Sequence, residues 1–174
     1  GAAKRTGTIA VYSPAGGVGK TCLAVSLSAC CARKGLSVFY LNLESAATTP
    51  LYFESSSTRN FSNIIYSLKE GHKNIPLKVE GVRLVDAGYN IHYFSPPDSM
   101  EEISELSPQE LRRLIWTLKE TGRYDMVFVD MESSFNSRST ALFDECDEIF
   151  VIAVPSDVCL FKLKTFSREL DILS

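Results

Sequence analysis

A short glycine-rich segment holds the residues of this chain whose types and spacing could do chemistry. Residues 13–21 read SPAGGVGKT, and they lie between the apolar run Thr8–Tyr12 and a second, largely apolar run that begins at Cys22. This order predicts a strand, a loop and a helix, which is the setting of a phosphate-binding loop. Three glycines let the backbone turn tightly and point its N–H groups at phosphate oxygens. The N-terminus of the helix adds unpaired N–H groups and the positive end of its dipole.

The side chains that end this loop indicate a nucleotide with a magnesium ion. Lys20 is predicted to place its ammonium group against the terminal phosphates, and the Thr21 hydroxyl to ligate Mg²⁺. A glycine-rich turn without a ligand is the alternative, which the strand before the loop and the helix after it disfavour. The residues predicted to bind the nucleotide are Ala15, Gly16, Gly17, Val18, Gly19, Lys20, Thr21 and Cys22.

Asp130 is the acidic residue best placed to support a metal ion near this loop. It ends the apolar run Met126–Asp130. A carboxylate at the end of a strand next to the loop's own strand commonly holds Mg²⁺ through a water molecule. A helix cap or a loop acid is the alternative. We therefore predict Thr21 and Asp130 as the metal-binding residues, with Asp130 acting through water.

Apolar runs alternate with helical patterns along the chain, in the rhythm of a parallel sheet with crossover helices. The predicted strands are Thr8–Tyr12, Ser37–Leu43, Asn90–Phe94, Met126–Asp130 and Glu148–Val154. The predicted helices are Lys20–Lys34, Asn60–Leu68, Ser107–Thr121 and Leu160–Leu173, with a short helix and loops over residues 72–89. We expect an α/β fold with helices on both faces of a parallel sheet, and the nucleotide at the carboxyl ends of the strands.

The composition is that of an ordinary globular domain. The chain has 174 residues, of which 45% are apolar and 22% charged, and its formal net charge is −3. That charge and the lack of a dense Lys/Arg run argue against nucleic-acid binding. Five cysteines without metal-binding spacing, and no signal peptide or membrane-spanning run, predict a cytoplasmic protein with reduced thiols. We predict one domain over residues 1–174, part of a longer protein, with residues 1–6 as a tag remnant or linker.

Four segments together resemble the MinD/ParA family of ATPases. The paired Gly16 and Gly17 before VGKT are similar to the family's deviant Walker A loop, Lys-Gly-Gly-x-Gly-Lys-Thr, at every position but the first. Residues 38–44 resemble its second strand, residues 124–130 its Walker B strand and residues 147–155 the strand that follows. The resemblance implies a P-loop NTPase fold, ATP and Mg²⁺ as cofactors, and a homodimer. In the family a further strand reads the adenine, so the sheet is expected to be truncated at its C-terminal edge.

Three departures from the family pattern concern hydrolysis rather than binding. Ala15 stands where relatives have the lysine that reaches across the dimer to the partner's phosphates. The family's Asp-x-Asp is Asn42-Leu43-Glu44 here, and Glu44 falls where relatives position the attacking water. A Mg²⁺ contact through water and a solvated strand-end acid remain the alternatives for Glu44. The family's Asp-x-Pro-x-Gly reads DMESS at residues 130–134. We therefore expect weak or absent hydrolysis, with Ala15 either natural or an engineered change.

The degenerate motifs and residues 94–97, which read FSPP, are most similar to the TadZ/CpaE-type branch of the family. This resemblance implies a localisation factor in type IV (Tad) pilus assembly, with protein partners of a pilus or positioning system at a cell pole or the inner membrane face. An active MinD/ParA-type ATPase in positioning or partition is the first alternative, and it would need a working Glu44. A bacterial tyrosine kinase domain is the second, disfavoured because no tyrosine cluster lies at the C-terminus.

Overall fold

A central sheet organises the computed structural model, which describes residues 5–53 and 58–173. Within those ranges the strands are β1 (Gly7–Tyr12), β2 (Val38–Asn42), β3 (Leu84–Val85), β4 (His92–Tyr93), β5 (Met126–Asp130) and β6 (Glu148–Val151). Their order across the sheet is β3-β4-β2-β5-β1-β6. β1, β2, β4, β5 and β6 run parallel to one another, and β3 pairs antiparallel with β4. The predicted α/β fold is confirmed, and β3 makes the sheet mixed at one edge rather than wholly parallel.

Helices cover both faces of this sheet, as predicted. In the described ranges they are α1 (Lys20–Arg33), α2 (Phe61–Lys69), α3 (Ile75–Val82), α4 (Met100–Ser104), α5 (Pro108–Glu120), α6 (Ser137–Glu145) and α7 (Asp157–Leu173), with a 3₁₀ turn at Thr49–Leu51. α1 packs on one face, where its Ala24 joins Tyr40 in an apolar cluster. α2, α5 and α6 pack on the other face, in a larger cluster that includes Ile64, Leu114 and Leu142. Of these helices in the described part of the chain, none is both long and apolar enough to cross a membrane.

The elements that the sequence prediction lacks are short or polar. β3 has two residues, α4 has five, and α6 reads SRSTALFDE. The N-cap residues of α4 and α6 are Ser99 and Asn136, whose side chains accept hydrogen bonds from backbone N–H groups of the first turn. The predicted strands 90–94 and 148–154 are shorter in the structure, and α7 begins at Asp157 rather than at Leu160. Apolar periodicity alone does not define such elements, because caps and a few pairing bonds determine them.

The first described residues already contact the fold. Arg5 forms an ion pair with Asp147 at 2.5 Å, and the Thr6 hydroxyl donates to the carbonyl of Tyr124 at 2.8 Å. Residues 1–4 of the predicted linker lie outside the described residues. The start of the described chain is therefore fastened to the edge of the sheet from which β1 begins.

The carboxyl ends of β1, β2 and β5 lie side by side at the centre of the sheet. The register places Asp130 of β5 level with Val11 of β1 and with Asn42 of β2. Because parallel strands end at the same edge of a sheet, the loops that follow these three strands meet there. This edge brings the glycine-rich loop together with the residues that follow β2 and β5.

Candidate functional site

The glycine-rich loop joins β1 to α1 and leaves its backbone open to a ligand. Gly17 and Gly19 have φ angles of 71° and 91°, a left-handed conformation that residues with side chains rarely adopt. Gly19 is also the N-cap of α1, and no side chain caps this helix. Gly16, Gly17 and Gly19 are all exposed. The loop therefore presents free N–H groups and a positive helix end to solvent, as binding of a phosphate requires.

Lys20 and Thr21 share one anionic partner, Glu44. The Lys20 ammonium lies 3.1 Å from Glu44 Oε1, and the Thr21 hydroxyl donates to Glu44 Oε2 at 3.1 Å. Because the Lys20 side chain is only 6% exposed, its charge needs a nearby anion. The Glu44 carboxylate thus contacts the two groups that the sequence assigns to phosphate and Mg²⁺. Glu44 therefore lies next to Lys20 and Thr21, while its role in positioning water stays a prediction.

Asp130 is fully buried at the end of β5 and has one oxygen without a partner. Its Oδ2 accepts a hydrogen bond from the Tyr40 hydroxyl at 2.8 Å, whereas its Oδ1 has no hydrogen-bond partner. Burial, followed by the negative charge of Glu44, raises the pKa of Asp130 to about 6, and the hydrogen bond from Tyr40 opposes this effect. An unsatisfied buried carboxylate oxygen costs free energy unless a ligand or a water completes it. Oδ1 is therefore a suitable acceptor for a water of a hydrated Mg²⁺.

A hydrated Mg²⁺ held by a few protein groups fits this site better than a metal held by protein alone. Among the residues that the structure describes, no three His, Cys, Asp or Glu side chains converge on a point where a metal could bind. Mg²⁺ usually keeps several waters and takes one or two protein ligands together with phosphate oxygens. Thr21 Oγ1 and Asp130 Oδ1 match that donor set, and both lie beside the open loop.

The two remaining positions of interest in the loop are Ala15 and Cys22. Ala15 is buried, and its N–H donates to Ser13 Oγ at 3.1 Å, so position 15 supplies no charge. Cys22 is exposed on the first turn of α1, and its Sγ lies 3.3 Å from the Tyr52 hydroxyl. The sequence prediction did not include Tyr52, which directly follows the 3₁₀ turn after β2 and lies close to the loop.

Glu132 connects the loop after β5 to the loop after β2. It accepts a hydrogen bond from the backbone N–H of Ser45 at 3.0 Å and another from the Ser45 hydroxyl. Arg138 of α6 lies 4.0 Å from its second carboxylate oxygen. Ser45 directly follows Glu44 in the chain. The residue that pairs with Lys20 is therefore next to the residue that donates to Glu132.

Two further polar residues, Tyr40 and Asn42, lie behind the site, and the sequence prediction assigned neither of them to it. The Asn42 amide donates to the Tyr40 hydroxyl at 3.2 Å, and Asn42 Oδ1 accepts from the N–H of Glu44 at 2.8 Å. Residues two apart on a strand point to the same face. Their alternation on β2 was the available signal, because a tyrosine and an asparagine on one buried face require polar partners.

The fold and the site define a P-loop protein: a glycine loop between a central strand and its helix, with Asp130 at the end of the neighbouring strand. A family model described as an AAA domain matches residues 6–172, nearly the whole chain. The chain therefore belongs to this AAA domain family. No match was found among curated protein sequences.

Solved structures of ParA and MinD proteins share the fold. A ParA family ATPase from Chlorobium tepidum has a TM-score of 0.74 and 16% identity, over 91% of this chain and 64% of its own. MinD from Pyrococcus horikoshii, solved with Mg-ADP, has a TM-score of 0.68 and 19% identity, over 97% of this chain and 66% of its own. A plasmid partition protein from Borrelia burgdorferi has a TM-score of 0.74 and 19% identity, over 97% of this chain and 75% of its own. At these identities the matches show a shared fold, and the chain spans only about two thirds of the length of the first two structures.

Proposed function

We propose that this chain binds ATP with Mg²⁺ at residues 13–21 and acts as a nucleotide-dependent, dimerising localisation or assembly factor with weak or absent hydrolysis. The observation that carries the proposal is a complete phosphate-binding loop whose position 15 has no charge. A charge that acts only on the transition state can be lost without loss of ground-state binding. Such a protein keeps the nucleotide as a switch and turns it over slowly.

Binding would use the backbone of the loop together with three side chains beside it. The N–H groups of the loop and of the first turn of α1 would hold the phosphates, with Lys20 against the terminal ones. Thr21 would contact Mg²⁺ directly and Asp130 Oδ1 through water. Mg²⁺, when bound, would neutralise part of the phosphate charge. Phosphate oxygens would replace Glu44 as the partner of Lys20, which would free the Glu44 carboxylate for a water next to the phosphates.

The contact between Ser45 and Glu132 supports a nucleotide-dependent switch. When phosphate takes over Lys20, Glu44 loses one of its two partners, and the next residue, Ser45, donates hydrogen bonds to Glu132. Glu132 and Arg138 would transmit the change to α6, because they connect the loop after β5 to that helix. A local exchange of charge partners could in this way alter the surface that faces a second copy or a partner protein.

The proposed cellular setting follows from family resemblance. The similar structures include septum site-determining and plasmid partition proteins, which favours a role in positioning. Ala15, Asn42 and residues 94–97 favour the TadZ/CpaE-type branch within that group. We therefore place the protein in the cytoplasm, recruited to a cell pole or the inner membrane face, with partners in a pilus or positioning system. The alternative of an active MinD/ParA-type ATPase is favoured by one observation, the presence of Glu44 in the site.

The domain assignment over residues 1–174 also remains a proposal. Ile149 and Val151 of β6 are 37% and 38% exposed, and Phe161 of α7 is 72% exposed. Apolar side chains on an edge strand and an outer helix favour cover by another segment. We propose that these faces are covered by further chain in the whole protein.

Calorimetric titration with MgATP, with phosphate release followed in the same samples, tests the proposed function. We expect one ATP per chain, and release at or below about 10⁻³ per second, the range of NTPases that lack a charged finger. Sedimentation should show a dimer with MgATP and a monomer without it. Fast phosphate release would favour the active ATPase. The absence of binding heat in the titration would contradict the proposal, and so would the absence of an ATP-dependent dimer in sedimentation.

A further inference from the structure

A buried chain of hydrogen bonds connects the two acidic residues of the site through Tyr40 and Asn42. The Tyr40 hydroxyl donates to Asp130 Oδ2 at 2.8 Å and accepts from Asn42 Nδ2 at 3.2 Å. Asn42 Oδ1 then accepts the backbone N–H of Glu44 at 2.8 Å. Tyr40 and Asp130 are fully buried, and Asn42 is 7% exposed. The chain therefore runs from the proposed Mg²⁺ side of the site to the residue that pairs with Lys20.

The direction of these bonds follows from what each group can donate. A tyrosine hydroxyl has one proton, and an ionised carboxylate is the strongest acceptor near it. The Tyr40 hydroxyl therefore donates its proton to Asp130 Oδ2. Its oxygen then needs a donor, which an amide can supply and a carboxylate cannot. The Asn42 side chain donates to Tyr40 through its amide nitrogen and accepts from the N–H of Glu44 through its amide oxygen.

The arrangement leaves a single oxygen of Asp130 for a cation. Tyr40 occupies Oδ2, and Oδ1 is the buried oxygen without a partner. The ring of Tyr40 is itself fixed, because it packs edge-on against Phe53 at 5.4 Å between centroids. A carboxylate held on one oxygen by a fixed donor has little freedom to rotate, so the free oxygen keeps its direction.

We propose that Tyr40 and Asn42 are positioning residues for the Mg²⁺ site: Tyr40 orients Asp130 so that Oδ1 faces a hydrated cation, and Asn42 holds Tyr40 in its donor role. The inference rests on the proposed nucleotide binding and adds a function to two residues in the interior of β2. It also explains why an asparagine is useful at position 42. An aspartate there would place a second carboxylate beside the buried Asp130 and could not donate to Tyr40.

Tyr40→Phe removes only the hydroxyl and keeps the ring in the core. We define the Mg²⁺ midpoint as the Mg²⁺ concentration that gives half of the metal's effect on ATP affinity. We expect this midpoint to rise about 10-fold to 100-fold, which is the range for loss of a group that orients a metal ligand. ATP affinity in EDTA should change less than about 2-fold, because Tyr40 contacts no group assigned to the phosphates. Tyr66→Phe, on the exposed face of α2, is the matched control and should change neither value.

Two further variants separate positioning from a role in the core alone. Asn42→Ala should move the Mg²⁺ midpoint in the same direction by a smaller factor, and the double variant should match Tyr40→Phe, because Asn42 acts on Asp130 through Tyr40. Asp130→Asn removes the carboxylate itself, and its Mg²⁺ midpoint gives the largest shift with which the other variants are compared. Thermal unfolding of each variant identifies any that fail to fold, and Asn42→Ala tests the inference if Tyr40→Phe is among them.

The outcomes separate the inference from the proposed function. A Tyr40→Phe protein that folds and keeps the Mg²⁺ midpoint overturns the positioning role. Equal weakening in Mg²⁺ and in EDTA overturns it as well, since it would show a general disturbance of the site. If the unmodified chain binds no ATP in either condition, the proposed function itself fails and the positioning role fails with it.

Discussion

Replacement of Lys20 by alanine is expected to lower the affinity for MgATP by about 30-fold to more than 1,000-fold, the effect of truncating one partner of a buried charge pair. Lys20 is 6% exposed and pairs with Glu44 in the structure. Its removal deletes the cation assigned to the terminal phosphates. It also leaves the Glu44 carboxylate unopposed beside them, so repulsion adds to the loss of attraction. Calorimetric titration with MgATP measures the change.

The Lys20→Ala variant should still fold, because Glu44 is 23% exposed and water can take over from Lys20. Lys34→Ala is the matched control. Lys34 caps the C-terminal end of the same helix and is exposed, so its removal changes the net charge equally while leaving the loop untouched. Near-equal MgATP affinity in the Lys20→Ala and Lys34→Ala proteins would show that the nucleotide, if it binds, does so elsewhere.

Installation of a lysine at position 15 is expected to accelerate phosphate release from MgATP by at least about 100-fold. Ala15 supplies no charge to the loop, and a positive group aimed at the leaving phosphate acts mainly on the transition state. The resemblance to the deviant Walker loop implies that this lysine works across a dimer. The acceleration should therefore grow with protein concentration, whereas the affinity for MgATP should change little.

Ala15→Met is the control for Ala15→Lys, because methionine has a comparable length without the charge. Phosphate release is measured at several protein concentrations, beside sedimentation of the same samples. An Ala15→Lys protein that dimerises with MgATP but releases phosphate no faster than Ala15→Met would contradict the account. In that case the limit to hydrolysis would lie with Glu44 or with the loop after β5 rather than with position 15.

Local patterns in the sequence were sufficient to predict a glycine-rich loop between a strand and a helix, and Asp130 at the end of a strand. The loop depends on residues that are adjacent in the chain, and two of its three glycines, Gly17 and Gly19, have positive φ. Asp130 could be predicted because a strand end next to β1 fixes where its carboxylate lies. The loop prediction rests on residues adjacent in the chain, which a sequence shows directly, whereas the place of Asp130 beside the loop also depends on the order of β5 and β1 in the sheet.

The contacts of Tyr40, Asn42 and Glu44 could not be read in the same way. They depend on the register that sets Asn42 opposite Asp130, and register is a property of the folded sheet. The longer side chain of Glu44 reaches both Lys20 and Thr21, which sequence comparison with an aspartate does not reveal. The polar helix α6 was missed for a related reason: its cap at Asn136, rather than an apolar stripe, marks where it begins.

Binding of a nucleotide at the loop between β1 and α1 is the claim that the reactivity of two cysteines tests in the unmodified chain. Cys22 and Cys30 are both exposed on α1, and Cys22 alone lies on its first turn beside the loop. Alkylation of each thiol is followed by mass spectrometry, with and without saturating MgATP. We predict that MgATP slows alkylation of Cys22 by at least about 10-fold, as burial by a ligand requires, and leaves Cys30 unchanged. Equal rates at Cys22 with and without MgATP would contradict the claim.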